Sequence, residues 1–268
     1  MKLKKFLAAA TAVCLTVALT ACGAGKDDKT IVVGASPSPH AEILEQIKPA
    51  LEKEGYTLEV KEFTDYVMPN TALNDGDLDA NFFQHEPYLV DFNAQNGTDL
   101  SVACDVHFEP LGIYPGKSSD IKNIPNGAQI AVPNDTTNEA RALNLLQDLG
   151  VITLKEGVGL AATPKDIVSN PKNVKIVELE AAQVALSIKD VDFGIVNGNY
   201  ALSAGIEKTV ITTEDAKSAA AVEFANIIAV RTSDLNSEKT QALVKAITTE
   251  DVKTFIQNKY GVVVIPVF

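Results

Sequence analysis

From Thr30 to Phe63 the chain lays down a short apolar run, a helical stripe and an alternating segment, and that order admits few folds. Ile31-Val32-Val33-Gly34 reads as a buried strand. Ser36-Pro37-Ser38-Pro39 follows, with Ser38 placed to cap a helix and Pro39 at its first position. Ile43, Leu44, Ile47 and Leu51 recur at helical spacing, so one stripe of that helix packs onto a sheet until Gly55 ends it. Thr57 to Phe63 then alternates as a second strand. A strand, helix and strand in this order predict a parallel pair joined by a right-handed crossover. That is the start of an open α/β sheet, whose strand ends face a cleft.

The same grammar continues. A short helix around Met68 to Asn74, a turn at Asp75-Gly76-Asp77, a strand from Leu78 to Phe83, a helix near Pro87 to Asn96 and a strand from Leu100 to Phe108 complete the first unit. A second unit begins after Pro110. Its strand at Ala128 to Val132 leads into a helix from Thr137 to Leu149 closed by Gly150. The strand Val174 to Leu179, the helix Ala181 to Ile188 and the apolar strand Val191 to Val196 follow. Phe224 to Val230 reads as a strand, Ser237 to Thr248 and Asp251 to Tyr260 as helices, and Gly261 to Phe268 as a β-rich tail. Two such series predict two lobes.

Residues 1–21 stand apart from this pattern. Lys2, Lys4 and Lys5 precede an apolar run from Phe6 to Ala18, and Leu19-Thr20-Ala21-Cys22 follows where a small-residue cleavage site belongs. The run is short of the ~20 apolar residues that span a bilayer, so it reads as an export signal. Residues 23–29 are small and charged, as a flexible spacer would be. Removing the signal leaves 20 basic against 35 acidic residues and a net charge of −15. Such an acidic chain, with 6% aromatics and no Trp, offers neither the basic patch nor the stacking platform that nucleic acid requires. Cys104 is then the one cysteine left in the body of the chain, so no internal disulfide holds the fold. Its neighbours Leu100 to Val106 are mostly apolar, and it reads as a small buried hydrophobe.

The motifs of catalysis are missing: there is no Gly-x-Ser-x-Gly, no Walker phosphate loop, no Cys-x-x-Cys and no His-Glu-x-x-His. His40, His85 and His107 would serve a metal reading, but spacings of 45 and 22 residues match no local ligand motif. A hydrolase would need a paired nucleophile and base that the sequence does not display. What stands out instead is polar and aromatic side chains at strand ends. Asn81, Phe83 and His85 share one face of a strand and its exit, with Tyr88 a turn later. The same spacing also suits a core strand packed under a helix. Asn138 and Arg141 lie three apart near a helix start, where an anionic carboxylate would sit well and Arg141 would bind it bidentately. An ordinary salt bridge explains the arginine equally. Asn197-Gly198-Asn199-Tyr200-Ala201 follows an apolar strand, as a turn or as a ligand-binding strand end. Asn226 interrupts the apolar stretch Phe224 to Ile228, and a buried amide needs a hydrogen-bond partner, whether protein or ligand.

Four of these segments together resemble a known family. Ser36 to Leu44, Gly76 to Leu89, Ile130 to Asn138 and Asn197 to Ala201, in this order and with a lipobox ending at Cys22, are similar to the signatures of the NlpA/MetQ lipoproteins, the methionine-binding components of ABC importers. The resemblance covers nearly the whole mature chain. It implies lipid on Cys22 and a two-lobed type II periplasmic-binding-protein fold that closes on its ligand. It implies lobe 1 from residues 30–110 and 226–268, lobe 2 from residues 111–225, a lipidated tether at 22–29 and hinges near 109–113 and 222–226. Carried onto matching positions, Tyr66, Phe83, His85 and Tyr88 would line a side-chain pocket. Asn138, Arg141, Asn197 and Asn226 would hold the α-carboxylate and α-amino groups. Phe82 and Phe83 point to opposite faces of their strand, and Phe83 is favoured because it shares the face of His85. The chain departs from the pattern at Phe224, where members often carry Tyr. The expected protein is a lipid-anchored, extracytoplasmic binding module with a membrane permease and ATPase as partners and no cofactor. Some members take D-methionine or methionyl dipeptides, and the motifs do not separate these ligands.

Overall fold

The computed structural model describes residues 29–216 and 220–268, so the export signal, Cys22 and residues 23–28 lie outside the described residues. The first unit is β1 (Thr30–Ala35), α1 (Glu42–Lys53), β2 (Thr57–Glu62), α2 (Met68–Asn74), β3 (Ala80–His85), α3 (Glu86–Asn96) and β4 (Leu100–Phe108). β1 pairs in parallel with both β2 and β3, as the strand-helix-strand order requires. The chain then crosses to a second body made of β5 (Gly112–Pro115), β6 (Gln129–Pro133), α4 (Thr136–Asp148), β7 (Thr153–Leu154), β8 (Ile167–Ser169), β9 (Lys175–Leu179), α5 (Ala181–Val184), β10 (Phe193–Val196), α6 (Gly198–Ala204), β11 (Thr212–Thr213) and α7 (Ala220–Glu223). It returns through β12 (Ala225–Arg231), α8 (Glu238–Ile247), α9 (Glu250–Tyr260) and β13 (Ile265–Pro266).

Two large sheets follow from this path, beside a small antiparallel pair of β7 and β8. One has six strands in the order β13-β4-β12-β3-β1-β2, and the other five in the order β11-β5-β10-β6-β9. β12 runs antiparallel between β3 and β4, so the returning chain is stitched into the centre of the first sheet. Each sheet has its own core. Ile43, Leu44, Ile47 and Leu51 of α1 bury against Phe82, Ile228 and Val230 together with Leu243, Ile247 and Ile256 of the last helices. On the opposite face Leu73, Leu78 and Leu89 cover Val32, Ile227 and Ala229. In the second lobe Leu143 and Leu146 of α4 pack on Ile130, Val132, Phe193 and Ile195, while Val184 and Ala201 cover the other side of Ala131 and Val196. Both lobes are therefore helix-sheet-helix sandwiches, each fully buried side chain contributing about 1.5–3 kcal/mol.

Some local expectations change. Ser38 caps no helix: its backbone is extended, and the regular helix starts at Glu42. The short turn before it, from Pro37 to Ala41, buries His40, and the Ser36 hydroxyl sits 2.5 Å from its Nδ1. The helix expected to reach Ile188 stops at Val184, where the Ser187 hydroxyl donates to the Val184 carbonyl and tightens the chain into a 3-10 turn. Gly34 is required by packing, since a Cβ there would lie 2.6 Å from Leu78. Cys104 is only half-buried, and burial pushes its thiol up to about 12. Among the described residues no helix is long and apolar enough to cross a membrane.

Candidate functional site

The strand ends of the two sheets face one another across a cavity. On the first lobe β3 places Phe83 and His85 on its inner face, while Phe82 points away and packs edge-on against His40 with ring centroids 4.5 Å apart. Phe83 lines the cavity and Phe82 belongs to the core. His85 caps α3, its Nδ1 accepting the Tyr88 backbone N–H at 3.2 Å. That leaves the ring proton on Nε2, which donates to Asn138 Oδ1 at 3.2 Å across the cleft. Burial, reinforced by the nearby Arg141 charge, holds His85 down to about 3, so the ring is neutral. Tyr66, from the loop after β2, lies 5.6 Å from Phe83 and 5.8 Å from Tyr88 between ring centroids. The Tyr88 hydroxyl donates to the Tyr66 carbonyl, and the Tyr66 hydroxyl donates to Asn199 Oδ1 at 2.5 Å. These rings make one aromatic wall.

The second lobe supplies the polar end. Asp135 caps α4 through the Asn138 backbone N–H, and the helical repeat then sets Asn138 and Arg141 side by side. Asn138 Oδ1 accepts from Arg141 Nη1 at 3.2 Å and from Asn197 Nδ2 at 3.0 Å. Arg141 is only 4% exposed. Its guanidinium lies 4.3 Å over the ring of Phe224, and a bidentate ion pair with Glu214 holds its far edge. Arg141 is salt-bridged, and it also lines the cavity, but its Nε/Nη2 fork is taken by Glu214 and is not open to a second bidentate partner. Asn197 stands at the start of α6, and Gly198 behind it approaches Glu109 so closely that a Cβ would come within 2.7 Å of Oε2.

Asn226, on β12, is paired opposite His85 and His107 and bonded through Oδ1 to His40 Nε2 at 2.9 Å. His107 Nε2 lies 2.8 Å from Glu109 Oε1, and His40 Nε2 lies 3.5 Å from the same oxygen. Burial lowers His40 to about 4 and His107 to about 3, and it raises the Glu109 carboxyl. The metal set drawn from three histidines does not assemble. His40 and His107 meet Glu109, with donor atoms within 4.8 Å of one another, while His85 is spent on its cap and on Asn138. The two ring nitrogens that face Glu109 are themselves engaged in hydrogen bonds.

All eight expected site residues, Tyr66, Phe83, His85, Tyr88, Asn138, Arg141, Asn197 and Asn226, line this one narrow cavity. Gln84, Glu109, Gly198 and Asn199 complete the lining. It holds no serine, threonine, cysteine or lysine. Two buried side-chain atoms here have no protein partner: Asn197 Oδ1, an acceptor, and Asn199 Nδ2, a donor. Sequence reasoning missed Glu109, Glu214 and the stacking role of Phe224, and it reached Asn199 only as part of the run Asn197 to Ala201. Glu109 left a signal, as an acid emerging from the apolar end of a strand at His107-Phe108-Glu109-Pro110.

The family model for NlpA lipoprotein matches residues 31–268. The chain belongs to the NlpA lipoprotein family. It is 40% identical over 276 residues to the methionine-binding lipoprotein MetQ of Bacillus subtilis, an alignment covering 99% of each chain. Its fold matches a nutrient binding protein from Burkholderia cenocepacia bound to methionine, with a TM-score of 0.84 and 43% identity over 89% of this chain and 100% of the other. It also matches an ABC transporter periplasmic substrate-binding protein from Coxiella burnetii, with a TM-score of 0.82 and 39% identity over 88% and 100% of the two chains. The NlpA lipoprotein therefore has the two-lobed architecture of a periplasmic binding protein.

Proposed function

We propose that this lipoprotein captures methionine in the interlobe cavity and delivers it to a membrane permease and ATPase pair, as a binding protein and not an enzyme. The observation that carries the reading is the division of the cavity lining. An aromatic wall of Tyr66, Phe83 and Tyr88 shares the cavity with Arg141, Glu109 and four asparagine amides, two of which keep unfilled hydrogen-bonding atoms. A thioether packs well against aromatic edges. A zwitterion taken from water needs charge-assisted and amide hydrogen bonds to offset its desolvation. In this reading Arg141, with Asn138 and the free Asn199 amide, holds the α-carboxylate. Glu109, Asn197 and Asn226 face the α-ammonium, and His85 joins the aromatic wall.

The closed form of the cavity, fastened by the Tyr66–Asn199 bond, favours the free amino acid over a dipeptide. The lobes divide at residues 110/111 and 225/226, with closure about the two crossings. The body is tethered through lipid on Cys22 to the extracytoplasmic face of the cell membrane. The methionine-binding and ABC-transport names of the relatives support both the cargo and its delivery.

Thermal unfolding of protein refolded to strip bound ligand tests this against L-methionine, D-methionine, Gly-Met, other amino acids and Zn²⁺. At 100-fold over Kd the ligand adds ~2.7 kcal/mol, an upward shift of roughly 5–10 °C for a chain of this size. The shift should be confined to methionine compounds and lost in Arg141→Ala and Asn226→Ala. A shift with Zn²⁺ alone, or turnover of a methionine ester or amide, would overturn the reading.

A further inference from the structure

We propose that Glu214 is a positioning residue for ligand recognition: it holds the Arg141 guanidinium with an Nη1 hydrogen turned to the cavity and fixes the opposite edge to the segments on which the chain crosses between lobes. The inference rests on the reading of Arg141 as the carboxylate-holding group. Glu214 does not itself line the cavity.

A guanidinium has five N–H donors in a fixed fork. Glu214 Oε1 accepts from Nε at 3.0 Å, and Oε2 accepts from Nη2 at 2.6 Å, so the carboxylate takes the whole edge that faces away from the cavity. Nη2 also donates to the Glu109 carbonyl at 3.3 Å, and Nη1 donates to Asn138 Oδ1 at 3.2 Å. The second hydrogen of Nη1 remains, on the cavity side. Each of the other contacts is a single, longer bond that leaves the plane free to turn. Glu214 alone grips the fork at two points, and with its side chain 14% exposed and that of Arg141 3% exposed the pair is weakly screened.

Glu214 is also anchored at its base. Its backbone N–H donates to the Leu111 carbonyl at 3.0 Å, and its Oε2 accepts the Leu111 N–H at 2.9 Å. Leu111 lies on the outgoing crossing between β4 and β5, and Glu214 begins the return after β11. The two crossings are thus bonded to each other through the residue that aims Arg141. Orientation of the ligand-binding fork and the pairing of the crossings form one hydrogen-bonded unit.

The test is calorimetric titration of the detergent-solubilised full-length protein with L-methionine and with L-methionine amide, which lacks the carboxylate. The readout is the ratio of the two dissociation constants, because a merely structural loosening weakens both ligands alike. Arg141→Ala sets the scale by collapsing the ratio. Glu214→Ala should lower it about tenfold, as expected for losing the orientation of a charge-assisted bond. Glu214→Gln keeps an acceptor for the Leu111 N–H and should lower it about threefold. If Glu214→Ala does not fold, Glu214→Gln decides alone. A wild-type ratio in the Glu214 variants, with the ratio collapsed in Arg141→Ala, overturns the positioning role while leaving the carboxylate reading intact. An unchanged ratio in Arg141→Ala overturns that reading, and the role of Glu214 with it.

Discussion

His85 shows how much one side chain does at the join of fold and site. Its Nδ1 must stay unprotonated to accept the Tyr88 N–H at the start of α3, and its Nε2 reaches Asn138 in the other lobe. Burial beside Arg141 keeps the folded-state value near 3, well below the ordinary 6.5. The unfolded chain therefore takes up a proton below pH 6.5 that the folded chain refuses, and stability is lost as pH falls from there towards 3. At pH 5 this one histidine costs about 2 kcal/mol. His85→Asn retains an acceptor suited to a helix cap and removes the titration. Unfolding free energies from urea titration at pH 7 and pH 5 should differ less in the variant than in the wild type by about that amount, and an unchanged pH dependence would contradict the account.

At the scale of elements, α4 carries a second titrating group with the opposite sign. Glu139, in its first turn, is buried beside Glu178 of β9 and Asp135. Burial first, and then the Glu178 carboxyl, push it up to about 7. Between pH 4.5 and 7 the folded chain holds a proton that the unfolded chain has released, so stability falls as pH rises through that window. Glu139→Gln should raise the unfolding free energy from urea titration at pH 8 by about 1 kcal/mol, after allowance for solvent screening, and change little at pH 4.5. An equal effect at both pH values would contradict this. Elements were also the scale on which the sequence was most legible. The stripe of α1, the alternation of β2 and the apolar runs of β6 and β10 each answer to a period and a buried face, and periods survive in one dimension. Ser38 misled because its proline-flanked turn is shaped by the Ser36–His40 contact and not by a helix cap. Glu214 left no trace at all, because its value lies in Arg141 and Leu111, which are 73 and 103 positions away.

For the whole molecule, the two sheets present their strand ends to a cavity that is already fastened. Tyr66 bonds to Asn199, His85 to Asn138, and the Tyr200 hydroxyl donates to the Thr64 carbonyl, each from one lobe to the other. Tyr66, Phe83 and Tyr88 from one lobe and Asn138, Arg141, Asn197 and Asn199 from the other meet around this cavity, and under the proposed function recognition and closure are a single event. A crystal structure of the methionine complex tests that claim most directly. The account predicts methionine in this cavity, its thioether among Tyr66, Phe83 and Tyr88 and its carboxylate on the remaining Nη1 hydrogen of Arg141. The ammonium should turn to Glu109 and Asn226, with the Tyr66–Asn199 bond kept. Methionine bound outside this cavity, or bound with its carboxylate turned away from Arg141, would contradict it.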